Sequence, residues 1–256
     1  MTAPNPPSTA AAREARHFDQ LVGETGDFNP LTAHAWSTLA RRFAEAVPSG
    51  EPLRLLDVGC GTGHSRQIYA ARCRAYFGLD VSLVSLQVAR RRSRVPGEEK
   101  PGGWLRGDAF RLPFGDSALD AVAFSSVLHH LPDRPAALRE AHRVLRAGGR
   151  VFAFDPNLLH PAMALFRHPR SPFYDPRGVS PDEKPLLPSA LRRDFAAAGF
   201  TAVRQRCQSD LPYRAVSPRG LDALLPLYNR LDWLWEKSAL GRLFGAFAIT
   251  WAQRSA

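Results

Sequence analysis

Three carboxylates and a run of alternate glycines stand at spacings suited to holding a small polar ligand. Asp57 lies in the apolar run from Leu53 to Val58, which passes at once into Gly59-Cys60-Gly61-Thr62-Gly63 and a helix-compatible segment. That order reads as strand, tight turn and helix. Asp80 ends a second short apolar stretch that begins at Tyr76, and Asp108 follows a third at Trp104 to Arg106. Glycine permits positive φ and removes the Cβ that would hold a ligand off the backbone, while a helix start offers unpaired N–H groups. A further pair has acid–base character. His129 and His130 lie just past the apolar segment Leu119 to Ser125, and an unperturbed imidazole titrates near neutral pH.

Charge narrows the ligand. A dinucleotide site uses G-x-G-x-x-G, with pyrophosphate over the helix start. Here the spacing is G-x-G-x-G, and a carboxylate at 57 repels a diphosphate but attracts an ammonium, directly or through water. S-Adenosylmethionine carries an amino-acid moiety, a cationic sulfonium and no phosphate. In that arrangement Asp80 accepts from both ribose hydroxyls and Asp108 from the adenine amino group. The expected cofactor contacts are therefore Asp57, Gly59, Cys60, Gly61, Gly63, Asp80, Val81, Asp108, Ala109 and Ser125.

The segments LLDVGCGTG (55–63), FGLDVS (77–82), GDAFRLPF (107–114), LDAVAFSSVLHHLPD (119–133) and RVLRAGGRVFAFDPN (143–157) follow one another in this order. On these the chain resembles the class I S-adenosylmethionine-dependent methyltransferases, in particular the branch typified by ubiquinone and menaquinone methyltransferases. The resemblance implies an α/β fold: a Rossmann-like, seven-stranded, mostly parallel sheet with helices on both faces, an antiparallel last strand, and helical and loop cap insertions. It also implies S-adenosylmethionine as cofactor and methyl transfer as activity. The histidine pair is common in that branch, which makes His129 and His130 the candidate catalytic bases, against the plainer role of bonding a helix start or lining the cofactor pocket.

The elements that position these residues follow from periodicity. Residues 1–50 read as a Pro/Ala-rich tail followed by cap helices, one from Ala11 to Val22 and one from Thr32 to Val47, the latter with Trp36, Leu39, Ala40 and Phe43 on one face. His17 and Phe18 either fold over the cofactor or anchor the first helix on the core. Residues 51–157 form the cofactor-binding core, with crossover helices at His64 to Cys73, Ser82 to Arg94 and Asp133 to Arg146, and a fifth strand from Gly149 to Asp155. Residues 158–188 are an insertion over the acceptor pocket; the stretch Pro156 to Pro188 holds eight of the 22 prolines and shows no periodicity. Residues 189–256 return to the sheet, with strands at Phe200 to Cys207 and Phe247 to Trp251, interrupted by a helical insertion at 209–240. There Leu221, Leu224, Leu225, Tyr228, Leu231, Leu234 and Trp235 recur at helical spacing, and Pro226 is expected to bend the pair of helices.

Length and composition bound the function. A chain of 256 residues buries one substantial core, and no apolar run approaches the roughly 20 residues of a membrane-spanning helix. The N-terminal residues lack the apolar centre of a secretory signal, so a cytoplasmic location is expected, with peripheral membrane contact open to it. Three cysteines, Cys60, Cys73 and Cys207, have neither zinc-site spacing nor an even count. The net charge of +10 invites a nucleic-acid partner, yet only three of the 34 basic residues are lysine and the arginines are scattered. The dense group Arg90-Arg91-Arg92-Ser93-Arg94 sits where a helix end favours cations. No amino-methylation motif for nucleic-acid bases follows the fourth strand, so no nucleic-acid partner is expected. Asp155 with Asn157 supplies only a fragment of a carboxylate metal site, so no metal is expected.

The acceptor is expected between the glycine turn and the two insertions, and the apolar residues of 209–240 point to a largely apolar small molecule, such as a quinone, polyketide-like or lipid-linked metabolite, methylated on oxygen or carbon. The same stripe can instead pack on the core. His160, His168, Tyr174 and Asp155 are weaker base candidates. Two alternatives stand beside this reading: a non-catalytic cofactor-binding module, and an RNA-directed methyltransferase that uses the basic charge.

Overall fold

The computed structural model describes residues 9–48, 50–93, 101–174, 179–184, 186–214 and 222–255. Its strands are β1 (Leu53–Val58), β2 (Cys73–Asp80), β3 (Gly102–Arg106), β4 (Leu119–Ser125), β5 (Leu145–Pro156), β6 (Thr201–Gln208) and β7 (Phe247–Gln253). Among the described residues they build a seven-stranded sheet in the order β3-β2-β1-β4-β5-β7-β6. All neighbours pair in parallel except β7, which runs antiparallel to both β5 and β6. The chain winds outward from β1 to β3 on one side and from β4 on the other. The order therefore reverses between β1 and β4, and a crevice opens beyond their carboxyl ends.

Central strands are apolar on both faces because both are covered. Leu56 and Val58 of β1 join Val122 and Phe124 of β4 in a core completed by Leu138, Ala141, Leu191 and Phe195, from α5 (Arg134–Val144) and α7 (Pro188–Ala197). On the other face Leu55, Ala121, Ala123, Phe152 and Phe154 pack on α2 (Ala33–Ala46) through Trp36, Leu39 and Phe43. Phe43 is fully buried against Tyr69 and Phe152. Truncating it to alanine costs about 3–5 kcal/mol. Thr32 caps α2 by accepting from the Ala35 N–H at 3.3 Å, Ser82 caps α4 (Leu83–Arg92) through the Ser85 N–H at 3.0 Å, and Asp133 caps α5 through the Ala136 N–H at 2.9 Å.

Several expected elements differ. The first crossover is one short helix, α3 (Arg66–Tyr69), and a single 3-10 turn, because the chain re-enters the sheet already at Cys73. α1 runs longer than expected, Thr9–Thr25, and β5 starts at Leu145 rather than Gly149. The Pro156 to Pro188 stretch contains α6 (Pro161–Arg167), opened by Pro161 at a position where proline's missing N–H costs nothing. Pro226 does not bend a helix. It occupies the first turn of α8 (Leu225–Glu236), and the break before α9 (Ala239–Phe244) falls at Lys237 and Ser238, with Ser238 capping α9. Arg94 and Leu221 lie outside the described residues.

Candidate functional site

The glycine turn is a backbone surface built to be approached. Gly59, Gly61 and Gly63 all have positive φ, at 73°, 52° and 84°. Two of them are filled from below: a Cβ on Gly59 would lie 2.5 Å from Val127 Cβ, and one on Gly63 would lie 2.9 Å from the Trp104 ring. At Gly61 no atom lies within 4 Å of that position. The opening is held in place by Asp80, whose Oδ2 accepts the Gly61 N–H at 2.8 Å while Oδ1 accepts the Ser82 N–H at 2.9 Å. Each carboxylate oxygen retains a second lone pair. Burial raises the Asp80 carboxyl above the usual carboxylate range, and those backbone donors counter part of that shift. Asp108 lies half-buried past the end of β3 and accepts the Phe110 N–H at 3.0 Å; Ala109 beside it is buried.

The first carboxylate corrects the direct-contact reading. Asp57 has no exposed surface. Its Oδ2 accepts from Ser65 Oγ at 2.6 Å and Tyr76 OH at 2.8 Å, and its Oδ1 accepts from Ser125 Oγ. With its own hydrogen committed to Asp57, Ser125 accepts from Tyr69 OH at 2.8 Å. Burial pushes the Asp57 carboxyl up to about 6, and the three hydroxyls restrain the shift. Asp57 thus knots β1, β2 and β4 together beneath the turn, and Ser125 is the second member of that knot. Cys60 also turns inward: its Sγ packs 2.9 Å from where a Gly78 side chain would begin, which leaves its backbone to face the crevice. Val81 is half-buried beyond Asp80.

The histidine pair leaves β4 through Ser126, a non-glycine residue at φ 56°. A left-handed conformation at such a residue is strained, and strain of this kind concentrates at functional sites. A single 3-10 turn, Leu128–His130, then sets the two imidazoles side by side, their centres 4.0 Å apart and their planes tilted by 43°. His129 Nδ1 donates to Asp155 Oδ1 at 2.8 Å, and the same oxygen accepts the His129 backbone N–H at 3.1 Å. That tautomer leaves a lone pair on Nε2. Asp155 is fully buried, and its Oδ2 has no partner. His130 Nδ1 meets Ser180 Oγ at 2.6 Å, and Ser180 in turn donates to Glu14 Oε1 at 3.0 Å, so Nε2 is again the free nitrogen. Burial and the neighbouring His129 lower the His130 pKa. Glu183 joins them: one ligand atom from each of His129, His130 and Glu183 lies within 4.8 Å of the others. Among the described residues this is the group with the donors and spacing to hold a metal ion.

α1 closes the crevice. Asp19 Oδ1 accepts from Ser82 Oγ at 2.6 Å and from the Val84 N–H at 3.1 Å, just past Asp80. Phe18 rests edge-on against His130, with ring centres 5.4 Å apart, and against Phe28. Phe18 therefore sits over the site rather than in either core. After α1, Asp27 binds His64 at 2.9 Å and Arg92 at 2.9 Å, and Thr62 Oγ1 donates to the Phe28 carbonyl at 3.1 Å. Burial opposes ionisation of Asp27, but these partners hold its pKa down at about 2. Arg92 is thus bound to groups of the protein itself, as is the exposed Arg90, which donates to the Trp104 carbonyl at 3.0 Å. A separate cleft of about 390 Å³ lies to the side, lined in part by Trp36, His64, Gln67 and Arg214, and touches neither Asp80 nor the histidine pair.

Residues 56–153 match a family model described as "Methyltransferase domain". The chain is 34% identical over 182 residues to the O-methyltransferase rstn1 of Aspergillus nomiae, an alignment covering 66% of this chain and 76% of that protein. The chain belongs to the S-adenosylmethionine-dependent methyltransferases. It is also 32% identical over 173 residues to a 27-O-demethylrifamycin SV methyltransferase of Amycolatopsis mediterranei, covering 64% of this chain and 63% of that one. Of that protein, a methyltransferase of Streptomyces halstedii and a 2-phytyl-1,4-naphtoquinone methyltransferase of Synechococcus elongatus, the chain spans 63%, 48% and 61% of the length. Among solved structures, the [4+2]-cyclase SpnF superposes with a TM-score of 0.67 at 21% identity, covering 99% of this chain and all of that one. The likeness establishes the fold, and a fold alone does not fix chemistry.

Within this member of the family the structure brings Asp80, Gly61, His129 and Asp155 to one edge of the sheet, and places Asp57, Ser125 and the Cys60 side chain beneath it. Sequence reasoning missed Asp19, Glu14 and Ser180. Glu14 and Ser180 lie 166 positions apart and carry no local signal. From sequence Asp155 was a weaker base candidate and, with Asn157, a fragment of a carboxylate metal site; its pairing with His129 is a register effect, since β4 and β5 lie side by side with Ser125 opposite Phe154.

Proposed function

We propose that this chain transfers the methyl group of S-adenosylmethionine to an oxygen, or an enol-like carbon, of a largely apolar small molecule. The observation that carries the reading is the bare backbone at Gly61, tied by its own N–H to Asp80. One unit presents both a surface without a side chain and a diol acceptor. In this reading residues 51–157 carry the cofactor, with Asp80 toward the ribose and Asp108 toward the adenine, while Asp57 and Ser125 brace the turn from below. Residues 158–188 and 209–240 shape the acceptor side. When bound, S-adenosylmethionine supplies a methyl group on an electron-poor sulfur with a good leaving group.

The chain's own residues then have two tasks. The first is to hold the reactants aligned with water excluded, which α1 does by lying across Ser82, His130 and the 179–184 loop. The second concerns the acceptor's proton. Asp155 fixes the tautomer of His129, so Nε2 can take a hydroxyl proton, and the Asp155 carboxylate, bonded to Nδ1 through Oδ1, stabilises the imidazolium that results. Ser180 and Glu14 hold the second ring beside it. The arrangement favours a hydroxyl acceptor, which must lose a proton, over a carboxylate, which need not. The naming of a rifamycin and a fungal O-methyltransferase among the relatives supports the same choice.

Calorimetric titration with S-adenosylhomocysteine tests the cofactor half: the wild type binds, and Asp80→Ala binds roughly tenfold or more weakly, since a hydrogen bond to a charged group contributes about 1.5–3 kcal/mol. Wild-type protein that produces no binding heat sinks the proposal. Labelled S-adenosylmethionine offered with a panel of apolar phenols and alcohols tests the acceptor half, and label confined to nitrogen acceptors would refute it.

A further inference from the structure

The apolar stripe of α8 and α9 does not pack on the core. Leu224, Leu227, Leu231, Trp233, Leu234, Leu240 and Leu243 are 42–62% exposed, whereas the described residues of α8 bury only Leu225 and Asp232. Apolar side chains exposed at this density on one short stretch mark an interaction surface. The charges around it are sorted. From residue 223 to 244 the exposed ones are Arg230, Lys237 and Arg242, all cationic. Both acids of the stretch face inward: Asp232 Oδ2 accepts the Asp210 N–H at 2.8 Å, and Glu236 Oε2 accepts the Ser209 N–H at 2.6 Å. Lys237 lies over the Trp233 ring at 3.3 Å, which holds an aromatic and a cation together at the rim.

We propose that the outer face of α8 and α9 docks on a membrane that carries anionic lipids. A second copy of the chain fits this face poorly, because a two-fold interface sets the patch against itself and brings six cations together. A bilayer surface with anionic headgroups complements both features: leucines and tryptophan enter the headgroup boundary while lysine and arginine meet the lipid charge. The neighbouring insertion adds exposed Leu159, Leu165 and Phe173, and His160 ties it to α8 through ring contacts with Tyr228 and Trp235. No helix among the described residues is long and apolar enough to cross a membrane, so the contact is peripheral.

The test is co-sedimentation of the full chain with vesicles of phosphatidylcholine alone and of phosphatidylcholine mixed with phosphatidylglycerol, in low and high salt. Binding to the mixed vesicles that weakens with salt is expected. Each cation near the surface contributes about fivefold in affinity, so Lys237→Glu with Arg242→Glu lowers binding by at least tenfold. The triple variant Leu227→Ser, Leu231→Ser, Leu234→Ser abolishes binding while the melting temperature falls by only a few degrees, because none of the three is buried and the loss is one of helix propensity. Equal binding to both vesicle types, no binding by the wild type, or undiminished binding by the triple variant would each overturn the proposal. A wild-type dimer that the triple variant turns into a monomer, with no vesicle binding by either, would assign the face to a second copy and overturn it too.

Discussion

Gly61 offers the sharpest separation of ligand effects from folding effects. Alanine there must adopt φ near 52°, which costs an L-residue about 1–2 kcal/mol, and the stiffer unfolded chain returns roughly 0.4–1 kcal/mol. With nothing within 4 Å of the new methyl, no packing cost is added, so the net loss is about 1 kcal/mol, a melting shift of roughly 2–4 °C for a chain of this size. Gly59→Ala has the same conformational cost at φ 73° and also drives its methyl to 2.5 Å from Val127 Cβ, an atom that rotation cannot move. Overpacking of that kind adds about 1–3 kcal/mol. If a ligand covers the turn, the order inverts for binding. Gly61→Ala, the more stable of the two, falls at least tenfold in affinity for S-adenosylhomocysteine, a weakening of about 1.4 kcal/mol in binding free energy. Thermal melts and calorimetric titration on the same two preparations read both quantities. Gly61→Ala protein that binds with wild-type affinity would show that the ligand does not lie over this turn, and equal destabilisation by the two substitutions would show that the space above Gly61 is filled.

Three further outcomes are expected. Replacing His129 by alanine lowers turnover of a hydroxyl acceptor by about 10²–10⁴ while S-adenosylhomocysteine affinity stays within threefold; a matching loss of affinity would make the residue part of the cofactor pocket instead. Asp57 carries a folded pKa of about 6 against a reference of 3.8, so its contribution to stability is fully present below pH 3.8 and is lost as pH rises through 6. Urea unfolding across that window should show the wild type losing on the order of 3 kcal/mol relative to Asp57→Asn, and parallel curves would contradict the burial argument. Treatment with a chelator leaves turnover unchanged if His129 acts as a base; loss of turnover that cobalt restores would instead make His129, His130 and Glu183 a metal site.

The sheet was legible in the sequence because its strands are buried on both faces and so appear as unbroken apolar runs, Leu53 to Val58 and Leu119 to Ser125 among them. The first ends at a turn whose glycines can be read locally, whereas the left-handed Ser126 after the second could not be. Helix starts at Thr32, Ser82 and Asp133 were legible for the same reason, since a cap is a contact over three residues. The burial of a carboxylate was not. Asp57, Asp80 and Asp108 look alike as acids at or near strand ends, yet only the packed structure shows that Ser65, Tyr76 and Ser125 surround the first while backbone donors alone meet the second. The outward turn of the α8 leucines was equally hidden, because helical spacing defines a stripe without saying whether the core or the solvent receives it.

The same distinction explains how α1, a helix legible in the sequence though its partners were not, comes to lie over the residues gathered at the strand ends. The apolar residues α1 buries are small or few, Ala11, Ala15 and Val22. What seats it is a series of polar contacts to elements far along the chain: Asp19 on the start of α4, Glu14 on Ser180 and the Asp182 N–H, and Arg13 on the Asp182 carboxylate at 2.7 Å. Such contacts exchange readily with water and leave little apolar surface to expose on opening, so α1 can lift more easily than any helix that caps the two cores. Glu14 makes the link to chemistry direct. Burial acts against its charge, yet the neighbouring His130 ring, the Asp182 N–H and the Ser180 hydroxyl hold its pKa below the usual range, and through Ser180 it fixes the Nδ1 side of His130, so the helix that covers the crevice also helps to hold the histidine pair in place.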